Sequence, residues 1–332
     1  MNIDFVPDPA QALAFDRRMR ERLGSSLRYI MEQAKHAIRV PWEGMDGFLT
    51  RLANGPVSAS VFGAYCDLVL AIEADRRDLA EALFGEIASA PNRPADLMIS
   101  DLADPGRDPI AERFVRLINT DPSASFTVLP PTPAIAAACR ERIAAAFRLL
   151  EAGDPALSAE IRALIGEIVL AIGSEDPTAM LFDGASSLML WGAIVLNATA
   201  HRTDLEMAEA LAHESGHNLL FGLSADGPLV ENDDKARYPS PLRADPRPMD
   251  GIVHATYVTA RMHRTVAQLL DAGVVNRVEA EASLATHRRA FDHGWAVIAS
   301  DGRLSERGRA AMAGARAYMR RFPERDMQAA QG

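Results

Sequence analysis

Leu211-Ala-His213-Glu214-Ser-Gly-His217-Asn-Leu-Leu220 contains a complete His-Glu-x-x-His. On a helix, residues four apart stack on one face, one turn above the other. His213 and His217 so placed can bind one transition-metal ion. Glu214 then sits about 100° round the helix from His213, beside the metal rather than in line with the ligands. The flanks support a helix. Thr203-Asp-Leu-Glu206 reads as a capping box, and Asp204 and Glu206 put negative charge in the first turn. Gly222 suits a left-handed stop. Gly216, inside the helix, suggests close approach by another backbone or a ligand.

The 332 residues suffice for one large or two medium domains. A hydrophobic share of 48% with 24% charged is ordinary soluble composition. The scarcity of aromatics and the abundance of Ala and Leu favour a mainly α protein with a small β-sheet, an α+β class. A helical N-terminal region is expected over 1–125, a metal-binding catalytic region over 126–323, and a disordered tail over 324–332. The net charge of −10 argues against nucleic-acid binding by field alone. Cys66 and Cys139 sit in apolar helical contexts and read as buried free thiols. The N-terminus has no signal-peptide pattern and no apolar run is long enough to span a membrane, so a cytoplasmic location is expected.

Outward from the central helix, the N-terminal quarter reads as helices over 10–23 (stopped by Gly24), 25–40, 42–52, 61–74 (capped by Ser58) and 78–90. Residues 91–133, rich in Pro, Asp and Gly, read as connecting loops around a short helix at 110–119 and a short strand at 126–129. Further helices are expected over 133–152 and 158–164, and strands over 167–172, 179–182 and 194–197. Gly184-Ala-Ser-Ser187 reads as a turn. After the His-Glu-x-x-His helix come a polar loop, 224–245, and helices over 250–272, 279–298 and 305–321.

The helix entered at Asp250 carries His254, Tyr257 and Arg261 at i, i+3 and i+7, hence on one face. His254 brought to the His213/His217 pair makes a three-nitrogen site with open positions; a core histidine bonded to a backbone carbonyl is the plain alternative. Upstream, four prolines within Tyr238–Pro248 hold Arg243 and Arg247 on a rigid segment, and arginine is suited to bidentate carboxylate recognition.

The set His213-Glu-x-x-His217 with Tyr238-x-Ser-Pro-x-Arg243-x-Asp-Pro-Arg247-Pro-x-x-Gly251-x-x-His254-x-x-Tyr257-Val resembles the α-ketoglutarate-dependent HExxH-type peptide β-hydroxylases of ribosomal peptide natural-product clusters. The likeness is densest over about 200–262, weaker at 186–197 and 304–308. It implies a non-haem Fe(II)-, 2-oxoglutarate- and O₂-dependent oxygenase that hydroxylates the β-carbon of a residue in a precursor peptide. Iron would sit on His213, His217 and His254. Arg243 and Arg247, ahead of Arg261 and Tyr257, are the favoured grips for the 2-oxoglutarate carboxylate. A third His in place of the carboxylate of the usual facial triad is a departure; Glu214 or Glu231 would serve if His254 points away. The rival enzyme is a Zn²⁺ peptidase with Glu214 as general base, although the metzincin continuation is absent. A non-catalytic peptide-binding protein is the third reading. A related oxidation, such as desaturation, stays open beside hydroxylation.

Overall fold

A computed structural model describes residues 5–94, 96–119, 126–174, 182–242 and 245–322. Eleven α-helices and a five-stranded mixed sheet account for most of these residues, the mainly α architecture with a small sheet that the composition suggests. The chain divides into two compact units. One comprises Met1–Pro9, Arg142–Ile161 and Arg202–Gly332; the other comprises Ala10–Glu141 and Arg162–His201.

The second unit is the sheet and the N-terminal helices. Strands β1 (Met98–Asp101), β3 (Glu167–Gly173), β5 (Ala193–Asn197) and β4 (Gly184–Ser186) lie in the order β1-β3-β5-β4, and β2 (Val128–Leu129) pairs with β3. The β1/β3 and β3/β5 pairs are parallel, in registers such as Ser100↔Val169 and Val169↔Val195; β4 runs antiparallel to β5. All five residues of β5 are buried, which is why Ala-Ile-Val-Leu-Asn reads as a continuous apolar run rather than an alternating one. Leu102, Phe114, Leu117, Val169, Leu190 and Val195 form a core under the sheet.

Around it stand α1 (Pro9–Ala34), α2 (Trp42–Asn54), α3 (Ala59–Glu73), α4 (Arg77–Ser89) and α5 (Pro109–Ile118). Ser58 caps α3 and Asp108 caps α5 through their side-chain oxygens. Arg113 of α5 is buried and ties α3 to α4 by ion pairs with Asp67 at 2.7 Å and Glu86 at 2.6 Å. Its neighbour Gly63 must be small, because a Cβ there would lie 2.8 Å from Arg113 Cδ.

Four sequence expectations change. Gly24 does not stop a helix: α1 runs through it as one 26-residue element, with Leu52 at ordinary packing distance, 3.4 Å from where a Cβ would stand. Met98–Asp101, read as part of a connecting loop, is an edge strand, and Gly184–Ser186, read as a turn, is the opposite edge. Both are too short to show periodicity. The expected break at 125/126 falls inside the second unit, because β1 before it and β3 after it share hydrogen bonds in one sheet. Most of the strand expected at 179–182, and the tail at 324–332, lie outside the described residues.

The first unit is helical. It holds α8 (Asp204–Ser224), α9 (Met249–Asp271), α10 (Arg277–Asp301) and α11 (Glu306–Met319). Helices α6 (Pro133–Gly153) and α7 (Pro155–Leu164) begin in one unit and end in the other. The loop after α8 is pinned by an isolated bridge, Val230↔Leu304, with Glu231 N donating to Arg303 O at 2.7 Å. Gly308 is required there, since a Cβ would lie 2.1 Å from Leu229 O.

Candidate metal centre

The helix that carries the motif is α8, and its N-terminus is the expected capping box. Thr203 Oγ1 accepts from Glu206 N at 3.1 Å, and Glu206 Oε2 accepts from Thr203 N at 3.1 Å. Gly222 does not end it; α8 continues to Ser224. Buried residues occur on every side of α8, so it is a central element of its unit. Gly216 does what its position suggested. A Cβ there would lie 3.0 Å from Val258 Cγ1, so the bare backbone lets α9 approach α8 closely.

That approach brings His254 of α9 to the pair on α8. His213 Nε2 and His217 Nε2 are 3.1 Å apart, and His217 Nδ1 and His254 Nδ1 are 3.0 Å apart. The rings of His217 and His254 stack at 5.3 Å, with Phe221 5.3 Å from His254 on the same side. Loss of hydration, with His213 and His254 adjacent, pushes the His217 pKa well below its usual value; loss of hydration also lowers that of His254, against the pull of Asp250. Both rings are therefore neutral at pH 7, the form that ligates metals. Glu214 is buried at 4% exposure, and its Oε1 lies 3.9 Å from His213 Nε2.

Two nitrogens bound to one tetrahedral ion at the usual 2.0–2.1 Å stand roughly 3.3 Å apart. The Nε2 pair of His213 and His217 fits that spacing. His254 is in contact with His217 through the other ring nitrogen, so the three imidazoles form a row. Among the described residues no three His, Cys, Asp or Glu side chains are grouped to hold an ion. The row has a physical reason. Neutral imidazoles, each with one donor and one acceptor nitrogen, satisfy one another when buried.

Comparison with protein-family models and with curated proteins gives no match.

The remaining expected residues are spread more widely. Arg261 is 2% exposed and is paired with Glu160, its Nη1 donating also to Phe5 O at 3.3 Å. Tyr257 is fully buried, with its ring edge-on to Phe5 at 5.6 Å. These two thus face the Glu160–Phe5 cluster, while His254 faces His217. Arg247 Nε pairs with Asp245 at 2.7 Å, and its backbone bonds Tyr238 in both directions at 2.8 Å. Arg243 lies outside the described residues. Glu231 is exposed, and its backbone is held by Arg303. Cys139 is buried as expected, but Cys66 is only half-buried; burial still raises the Cys66 pKa to about 11.

Sequence reasoning passed over two groups beside the centre. Glu209, one turn before His213, accepts a hydrogen bond from Ser283 of α10, and burial raises its pKa to about 7. His287 of α10 is buried with its Nδ1 unpartnered among the described residues. The i−4 spacing of Glu209 from His213 was a usable signal; His287 had none, being 74 residues from the motif.

Proposed function

We propose that the chain is a metal-dependent oxygenase, using Fe(II), 2-oxoglutarate and O₂ to hydroxylate the β-carbon of a residue in a ribosomally made precursor peptide. The observation that carries the reading is the continuous row His213–His217–His254, which brings together from two helices the three histidines that the resemblance assigns to iron. His213 and His217 would hold the ion through Nε2; His254, which meets the opposite nitrogen of His217, would have to turn to become the third donor. When bound, Fe(II) with the keto acid supplies the oxidising chemistry: 2-oxoglutarate and O₂ become succinate and CO₂ while one C–H becomes C–OH. The chain's own contribution is to keep the His217 and His254 rings neutral by burial, with Phe221 packed beside both. Arg247 and Arg243 are the side chains assigned to the far carboxylate of the keto acid. Arg261 is engaged with Glu160 and is not given that role.

A second reading has its own support. Glu214 stands next to His213, where a general base would activate a Zn²⁺-bound water for peptide cleavage. The two separate cleanly. Anaerobic addition of Fe(II) and then 2-oxoglutarate should produce a visible metal-to-ligand charge-transfer band in the first case. Peptide cleavage supported by Zn²⁺ without the keto acid identifies the second. In either case His254→Ala should lower the bound metal seen in elemental analysis by tenfold or more at limiting metal; full occupancy in a folded variant removes His254 from the site.

Among the described residues no helix is long and apolar enough to cross a membrane.

A further inference from the structure

His287 takes no part in the reaction as proposed, yet its Nδ1 is buried with no hydrogen-bond partner among the described residues. Buried polar atoms in folded proteins are almost always satisfied, and an exception calls for a partner. The helix registers show where that partner stands. Helices α8 and α10, both packed on α9, run in the same direction and are linked by side chains: Thr203 Oγ1 bonds Glu279 at 2.7 Å, and further along both helices Ser283 bonds Glu209. Four residues beyond Glu209 is His213, and four beyond Ser283 is His287.

The neighbour on the other side is fixed in the same way. Helices α9 and α10 are joined by a short turn and run antiparallel, with Gly294 so close to Thr256 that a Cβ would lie 2.1 Å from its Oγ1. Two turns from that crossing, along both helices, His287 comes level with His263. His263 Nδ1 is in turn 2.9 Å from the hydroxyl of Tyr318 on α11. Burial first, and then the nearby imidazoles of His263 and His213, lowers the His287 pKa to about 3. His287 is accordingly a neutral ring between a candidate metal ligand and a hydrogen-bonded His–Tyr pair.

We propose that His287 is a positioning residue of the metal centre, holding the ring of His213 through one water bonded to its Nδ1. The assignment rests on the metal reading of His213 and His217. A metal-bound imidazole is oriented through its second nitrogen, and losing such a support weakens metal binding roughly 10–100-fold.

The test is Zn²⁺ affinity of the full chain, measured by competition with a chromophoric chelator, with circular dichroism to establish folding. His287→Leu should weaken Zn²⁺ binding 10–100-fold. His287→Asn, whose amide falls near the place of Nδ1, should restore it to within a few-fold of the parent. His287→Gln, whose amide falls near Nε2, should not. Parent-like affinity in folded His287→Leu overturns the assignment. If His287→Leu does not fold, the Asn and Gln variants decide, and equal affinities in those two overturn it. A parent chain that binds no Zn²⁺ fails the metal reading itself, a result distinct from any of these.

Discussion

Arg261 illustrates how a single side chain can look like one thing and be another. Its spacing from His254 and Tyr257 is that of one helix face, and a guanidinium on such a face is a natural clamp for a dicarboxylate. The residue that decides its role, Glu160, is 101 positions away in the chain, beyond the reach of any local pattern. The pair is 2% exposed on both sides, and Glu160 also accepts from Asp8 N at 2.7 Å. Removing one partner of a buried pair leaves an uncompensated charge and typically costs 3–5 kcal/mol. Arg261→Met should therefore lower the stability of the fold by about that much in urea titrations. Arg261→Met with Glu160→Met should cost less than Arg261→Met alone, because no charge is stranded. An Arg261→Met protein of parental stability would show that the pair holds nothing together.

The elements were legible where their ends carry chemistry. Ser58, Asp108, Thr203, Asn276 and Ser305 each accept backbone N–H bonds at a helix start, and the sequence reading located all five of these starts within two residues. Glycines were misleading: Gly24 and Gly222 read as stops, but both lie inside helices. The seam between α8 and α9 is the sharpest case. Gly216→Ala gains about 1 kcal/mol of helix propensity. It also presses a methyl to 3.0 Å from Val258 Cγ1, and Val258 is fully buried and cannot yield freely. Overpacking of this kind costs about 1–3 kcal/mol, so a net loss of about 1 kcal/mol is expected. A thermal double-mutant cycle with Val258→Ala should show favourable coupling.

The seam between α8 and α10 carries the pH dependence. The Glu209 pKa is raised from 4.5 to about 7 by burial, with Glu206 and Glu279 adding like charge against the relief given by Ser283. A carboxyl whose pKa rises on folding binds more protons in the native state, so stability must fall as pH climbs from 4.5 towards 7. The ceiling on that loss is about 3 kcal/mol. Glu209→Gln keeps an acceptor for Ser283 and removes the titration. Its unfolding free energy should be flatter than the parent's over that interval, and identical pH slopes in the two proteins would contradict this.

On the scale of the whole chain, the fold class could be read from composition, but the division into units could not. Proline- and aspartate-rich sequence over 91–133 has the composition of a linker, yet it contributes β1, α5 and β2 to the same unit. Long-range pairing sets that boundary, and the four-residue β1 gives no local sign of it. A fragment comprising 126–332 would lack α1 to α5 and β1, leaving β3 without one of its parallel neighbours and removing Leu102, Phe114 and Leu117 from the core. It would also strip Trp191, whose Nε1 donates to Asp16 at 3.3 Å. Such a fragment should give a collapsed amide spectrum and weak near-ultraviolet dichroism. Well-dispersed native-like signals from it would mean that residues 126–332 fold without the N-terminal helices.

The contact of His217 with His254 depends on one missing methyl group, at Gly216. The candidate centre thereby acts as a gauge of its own scaffold. Warming that widens this seam by a fraction of an ångström would part His217 from His254 while both helices are still intact, so affinity for a cation would fade at temperatures below the melting point.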